Sequence, residues 1–144
     1  MMAGGGHLAR AVGTSTGHAP KWRVELRAGA HHFVADEPAT KGGGDTGPSP
    51  MALVLSGLAA CTVTTLRMYA DRKEWKLATI EVDVRYNVGD DEQSSINRTI
   101  TIHPELDAEQ IDRLTEIADR TPVTQAVRAG IPITTTVRTA AATA

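Results

Sequence analysis

The stretch that most constrains this chain runs from Pro48 to Trp75, PSPMALVLSGLAACTVTTLRMYADRKEW. Ser49 is placed to cap a helix, and Pro50 suits the first helical position, where a missing N–H costs nothing. From Met51 to Val63 nearly every side chain is apolar or small, so the helix has no polar face. A helix that is apolar all round must be buried all round. Charges enter only with Arg67, Asp71, Arg72, Lys73 and Glu74, where the helix surfaces into water. The apolar part falls short of the roughly 20 residues of a membrane span. A chain of 144 residues has little with which to enclose such a helix, so the pattern predicts a core completed by a second copy.

The elements around this helix read as an α+β domain. Residues 1–20, rich in Gly, Ser and Thr, read as a flexible leader, with Leu8 to Thr14 a candidate first strand. Trp22 to Leu26 alternates apolar and charged residues, and Ala30 to Val34 returns as a second strand after Ala28-Gly29. A loop rich in Gly and Pro then leads to the helix. Thr79 to Asn87 and Ile96 to Ile102 alternate cleanly and predict a long hairpin with one solvated face. Asp107 with Gln110 makes a capping box, and Ile111, Leu114, Ile117 and Ala118 fall on one helical face. Thr121-Pro122 starts a third helix ending near Gly130, and Ile133 to Val137 predicts a final strand.

Composition narrows the function classes. The chain reads as one domain, residues 1–144. Net charge is −2 and aromatics are 3% of residues, which disfavours a nucleic-acid partner or an anionic membrane. A single cysteine excludes an internal disulfide and a cysteine-only zinc site. The first ten residues lack the apolar core of a secretory signal, so the expected compartment is the cytoplasm.

Three groups of residues invite a chemical reading. Gly42, Gly44 and Gly47 have GxGxxG spacing, but no strand runs directly into them and no acidic residue follows at the required distance, so they predict a loop and no nucleotide cofactor. His31 and His32 are adjacent and would point to opposite faces of a strand, while His7, His18 and His103 are scattered, so no metal is expected. Cys61 stands in the helix among Gly57, Leu58, Thr64, Thr65 and Met68. Gly57 opens space over the thiol, and Thr64 and Thr65 offer hydroxyls on that face; these five are the candidate substrate-binding residues. Taken alone, a free cysteine here behaves as a small buried hydrophobe. It lies eleven residues past Pro50, too deep for the helix dipole to activate it.

The run DEP…GGGDTGPSPMALVLSGLAACTVTTLRMYADRKEW, the VDVRYN strand and the ADRTPVTQAV segment together resemble the OsmC/Ohr family, most closely its OsmC-like branch. The resemblance runs in order from about Trp22 to Val137. It implies the OsmC-like fold: antiparallel sheets around a long buried central helix, in an intertwined homodimer. It also implies organic hydroperoxide resistance in the oxidative stress response, by thiol-dependent peroxidase chemistry on small hydrophobic hydroperoxides. Cys61 matches the family's peroxidatic, catalytic cysteine.

The rest of that machinery departs from the pattern. Thr121 stands where the resolving cysteine belongs and Thr124 where a histidine often does. Met51, with Ala52 beside it, occupies the place of the catalytic glutamate. No arginine lies between Ala28 and Leu66, which leaves Arg10, Arg23 and Arg27 as candidates by charge alone. Three readings follow. One is a one-cysteine peroxidase or redox sensor served by an external thiol reductant. The second is a non-catalytic dimer of the same fold that binds a small hydrophobic molecule. The third is a paralogue with a different thiol chemistry.

Overall fold

A computed structural model describes residues 9–141. Its element order is β1 (Ala11–Thr14), β2 (Val24–Ala28), β3 (His31–Ala35), α1 (Pro50–Arg72), β4 (Thr79–Val88), β5 (Ser94–His103), α2 (Ala108–Ala118) and α3 (Pro122–Ala129). This is the α+β alternation read from the sequence. The expected leader over residues 1–20 falls partly outside the described residues, and its described part contains β1. The chain divides into two compact units, Met1–Ala59 with Val84–Arg98 and Ala60–Asp83 with Thr99–Ala144. Both α1 and the β4–β5 hairpin contribute residues to each.

In the first unit, β1, β2 and β3 form an antiparallel sheet in that order, with Val24 opposite Ala35 and Leu26 opposite Phe33. Val24, Leu26 and Ala28 face the half-buried side while Glu25 and Arg27 alternate outward. The loop that follows is built around Asp36. Its buried carboxylate accepts from the backbone N–H of Glu37 at 2.8 Å, Gly44 at 3.2 Å and Thr46 at 3.1 Å, and from the Thr46 hydroxyl at 2.7 Å. Those bonds hold the carboxyl below its ordinary value, the Thr46 hydroxyl contributing most. A side chain at Gly43 would collide with the Glu37 carbonyl, and one at Gly47 with that of Val34. The loop delivers the chain to α1, where the Ser49 hydroxyl accepts from the Ala52 N–H at 3.2 Å as the N-cap.

The second unit holds a hydrophobic core. Leu66 and Tyr69 of α1 meet Leu114 and Ala118 of α2, with Trp75, Ile80, Ile100, Ile102, Leu106 and Ile117 packed around them. Both ends of α2 and the start of α3 use local caps. The Asp107 carboxylate accepts from the Gln110 N–H at 2.8 Å while the Gln110 side chain accepts from the Asp107 N–H at 3.1 Å, the reciprocal pair expected from the sequence. α1 ends in a Schellman motif: the Trp75 N–H reaches the Ala70 carbonyl and the Glu74 N–H reaches that of Asp71. Glu74 takes the left-handed position at φ 59°, where glycine is usual. Arg67 donates to the Leu77 and Ala78 carbonyls and ties the turn to the helix.

Within one chain α1 is buried along a stripe: Leu58, Thr62, Leu66 and Ala70 are enclosed, whereas Met51, Val54 and Met68 are exposed, on the part of the helix that the sequence expects a second copy to cover. Three sequence expectations need correction. First, α1 is long and apolar enough to cross a bilayer by length and composition, with mean hydropathy 1.5 over an 18-residue window. Thr, Ser and Gly dilute hydropathy less than charge does, so the run is not short by that measure. Its enclosed stripe is instead that of a core helix. Second, Ile133 to Val137 forms no strand; Ile133 is 87% and Val137 88% exposed. A strand exists only when its N–H and C=O groups find a neighbour, and the alternating pattern here meets none in its own chain. Third, Ile111 of α2 is exposed, although its spacing puts it on the helix's apolar face with Leu114.

Candidate functional site

Cys61 lies in the middle of α1, half-buried and unbonded to sulfur. Helical spacing sets its surroundings on that element, since residues three, four and seven apart share a face. Gly57, Thr64, Thr65 and Met68 therefore run along α1 on the side of Cys61. Gly57, Thr64 and Met68 are exposed, Met68 at 62%, and Thr65 is half-buried. A side chain at Gly57 would meet nothing within 4 Å, so the helix surface before Cys61 is open. Leu58 differs from the other four, because its side chain is buried. Thr62, next to the cysteine, belongs to the buried stripe as well.

The positions that depart from the family's peroxidase pattern have structural employment. Thr121 is 1% exposed and caps α3: its hydroxyl lies 2.7 Å from that of Thr124 and accepts from the Thr124 N–H at 3.4 Å. The Thr124 hydroxyl also reaches the Ala118 carbonyl at 3.3 Å. Two buried hydroxyls thus satisfy each other at the positions that the sequence resemblance gives to a cysteine and a histidine. Met51 sits exposed in the first turn of α1. Among the candidate arginines, Arg23 forms an ion pair with Glu25 at 2.9 Å, Arg27 lies opposite His32 on the sheet, and Arg10 is exposed.

The glycine-rich loop offers no phosphate cradle. Gly42 takes φ 82° at the end of a short 3-10 turn, and the N–H groups of Gly44 and Thr46, which a phosphate would need, are taken by the Asp36 carboxylate. His31 and His32 are exposed neighbours on β3, His18 and His103 are exposed elsewhere, and His7 lies outside the described residues. Among the described residues no group of three or more His, Cys, Asp or Glu side chains is arranged to hold a metal ion.

One feature escaped the sequence reading. An open cleft of about 680 Å³ is lined by Thr65, Met68, Tyr69, Asp71 and Arg72 of α1 and by Arg113, Glu116, Ile117 and Arg120 of the α2 segment. The Tyr69 hydroxyl accepts from Arg113 Nε at 3.0 Å, and Arg113 Nη1 reaches Glu116 at 2.9 Å. Arg113, Arg72 and Lys73 all lie within 6 Å of the Tyr69 ring centre, at 5.4, 5.8 and 5.8 Å. Only the seven-residue interval between Arg113 and Arg120 hinted at a shared face.

The molecule resembles several solved structures in fold. A Psychrobacter arcticus protein described as an osmotic stress induced and detoxification response protein superposes with a TM-score of 0.69 at 20% identity, covering 88% of this chain and 91% of that one. An OsmC-like protein from Mycoplasma pneumoniae gives 0.68 at 19% identity, covering 89% and 91%. The organic hydroperoxide resistance protein OhrB of Bacillus subtilis gives 0.57 at 23% identity, covering 86% and 93%. No curated protein matches the sequence significantly. The family model described as OsmC-like protein matches residues 42–136, two thirds of the sequence, from the glycine loop through α1 and its cysteine to the segment after α3, and the chain therefore belongs to the OsmC-like family.

Proposed function

We propose that this protein is a one-cysteine, thiol-dependent peroxidase of the organic hydroperoxide resistance type, working in the cytoplasm as a homodimer with Cys61 as nucleophile. The observation that carries the reading is Cys61 itself, half-buried on α1 beside the open surface at Gly57; the sequence resemblance matches it to the family's peroxidatic cysteine. Structural likeness to an organic hydroperoxide resistance protein supports the same chemistry. The Cys61 thiolate attacks the outer oxygen of a hydroperoxide, the O–O bond breaks, the alkoxide leaves and takes a proton, and a sulfenic acid remains. With Thr121 in place of a resolving cysteine, an external thiol condenses with that sulfenic acid, releasing water and leaving a mixed disulfide. A second thiol then frees Cys61. Gly57, Thr64, Thr65 and Met68 form the wall along which a small hydrophobic substrate lies, with the buried Leu58 behind it, and no metal or organic cofactor enters the cycle. The exposed apolar side of α1 and the unpaired alternation of residues 131–137 support a second copy as partner.

The test is intact mass after one equivalent of cumene hydroperoxide, with and without a sulfenic-acid trap. Cys61 should gain one oxygen or the trap, and added dithiol should sustain turnover that Cys61→Ser abolishes. A second reading, favoured by Met51 and Thr121, is a non-catalytic dimer binding a small hydrophobic molecule; an unmodified Cys61 in the folded protein would select it. Light scattering at micromolar concentration decides the assembly, and a folded monomer would remove the dimer from both readings.

A further inference from the structure

A hydroxyl inside a helix commonly bonds back to the carbonyl four residues before it. Ser56 does so on α1, reaching the Ala52 carbonyl at 2.7 Å, and Thr115 does so on α2, reaching that of Ile111 at 2.8 Å. Thr62 and Thr124 are engaged as well. The hydroxyls of Thr64 and Thr65 are the exceptions on these helices, since among the described residues neither has a hydrogen-bond partner. Both lie on the face of Cys61, three and four residues on, where Cβ atoms stand about 5–6 Å apart. A hydroxyl and a sulfur projecting from such neighbours close that gap to hydrogen-bond distance. Thr64 is exposed, whereas Thr65 is half-buried like Cys61 itself. From Pro50 to Leu66 α1 carries no charged side chain, so this stretch can offer a thiolate hydroxyls and nothing cationic. Arg67, the next cation along the helix, is committed to the carbonyls of Leu77 and Ala78.

We infer that the Thr65 hydroxyl donates a hydrogen bond to Cys61 Sγ once the thiol has ionised, and so gives the thiolate the stabilisation that a neighbouring cation would otherwise supply. The inference rests on the reading of Cys61 as a reacting thiolate. A neutral thiol is a weak acceptor and has little hold on the hydroxyl. A thiolate carries a full charge, and hydrogen bonds to ionised groups are roughly twice as strong as neutral ones. The bond therefore favours the charged form over the neutral one. On ionisation the thiol proton passes to solvent, and Thr65 keeps its own proton throughout. Half-burial selects Thr65 over Thr64, because a hydroxyl screened from water interacts more strongly with charge. Donor and acceptor belong to one helix, so a second copy laid over α1 leaves both in place and removes competing water.

Two rates measured on the full chain at neutral pH test this. Alkylation of Cys61 by iodoacetamide reads the thiolate without any peroxide, and oxidation by cumene hydroperoxide reads the proposed reaction. Thr65→Val keeps the branched shape and removes the donor; it should slow both by about tenfold, the measure of one hydrogen bond to a charged group. Thr65→Ser restores the hydroxyl and should recover most of the parent rate in each, which a purely structural role for Thr65 does not predict. Thermal midpoints of the three proteins should agree, because the Thr65 hydroxyl bonds nothing else among the described residues. Alkylation undiminished in Thr65→Val, or Thr65→Ser as slow as Thr65→Val, would overturn the inference, and so would a larger loss in Thr64→Val. A tenfold loss in alkylation beside a parent protein that resists cumene hydroperoxide would support the hydrogen bond and remove the peroxidase reading. Undiminished alkylation beside normal hydroperoxide oxidation of the parent would do the reverse.

Discussion

Arg113 of α2 donates through Nε to the hydroxyl of Tyr69 on α1 at 3.0 Å, across 44 residues of sequence. The Tyr69 hydroxyl, followed by Glu116, pushes the guanidinium pKa up, so the charge at this junction is permanent. The tyrosine works on two sides at once. Its ring packs in the core with Leu66, Leu114 and Ala118 and meets Trp75 edge-on at 5.5 Å, while its hydroxyl and face organise the cations of the cleft.

Tyr69→Ala should therefore lower stability by about 3 kcal/mol or more, as deletion of a large core ring does. Tyr69→Phe keeps the packing and the cation–π face, and Arg113 can turn to water, so its loss should be much smaller. Denaturant midpoints of the two variants check this; equal losses would mean the hydroxyl, and not the ring, holds α1 to α2.

The Asp36 clamp predicts acid sensitivity. Its folded carboxyl titrates below the ordinary value of 3.8, mainly through the Thr46 hydroxyl. A depressed folded pKa contributes stability above the unfolded value and loses it as pH falls through the folded one, because the unfolded chain then binds the proton first. The contribution is thus full near neutrality and declines below about pH 4. Asp36→Asn should be less stable at neutral pH and show a shallower acid limb, read from thermal midpoints between pH 2 and 7.

Glu74 offers a stabilising change. A non-glycine residue at a left-handed helix terminus carries a conformational cost of about 1 kcal/mol. Its φ of 59° suits glycine without rearrangement. Glu74→Gly should raise stability by up to about 1 kcal/mol, seen as a higher denaturant midpoint with an unchanged slope.

Thr121→Val should lower stability by about 1–2 kcal/mol, because it removes the α3 cap and one of the hydrogen-bond partners of the buried Thr124 hydroxyl. Hydroperoxide oxidation of Cys61, measured by mass, should proceed in the variant as in the parent protein. A variant of full stability would show that another group caps α3.

The elements legible in the sequence are those whose hydrogen bonds close locally. α1 follows from Ser49, Pro50 and an unbroken apolar run, and α2 from the reciprocal Asp107–Gln110 pair, because helical bonds and caps span only three or four residues. The β4–β5 hairpin is legible because strict alternation meets a short polar turn. Cys61 and its helical neighbours are legible for the same reason: their shared face is a property of one helix. The failures are all long-range. Residues 131–137 alternate like a strand, yet a strand needs a hydrogen-bonding neighbour that its own sequence does not contain. The apolar run of α1 prescribes burial on every side, but how much of it one chain encloses depends on where α2 and the hairpin pack. The arginines of the cleft look like ordinary surface charge when read singly. Only the packing of α2 against α1, driven by Leu66, Tyr69, Leu114 and Ala118, brings Arg72, Arg113 and Arg120 around one opening.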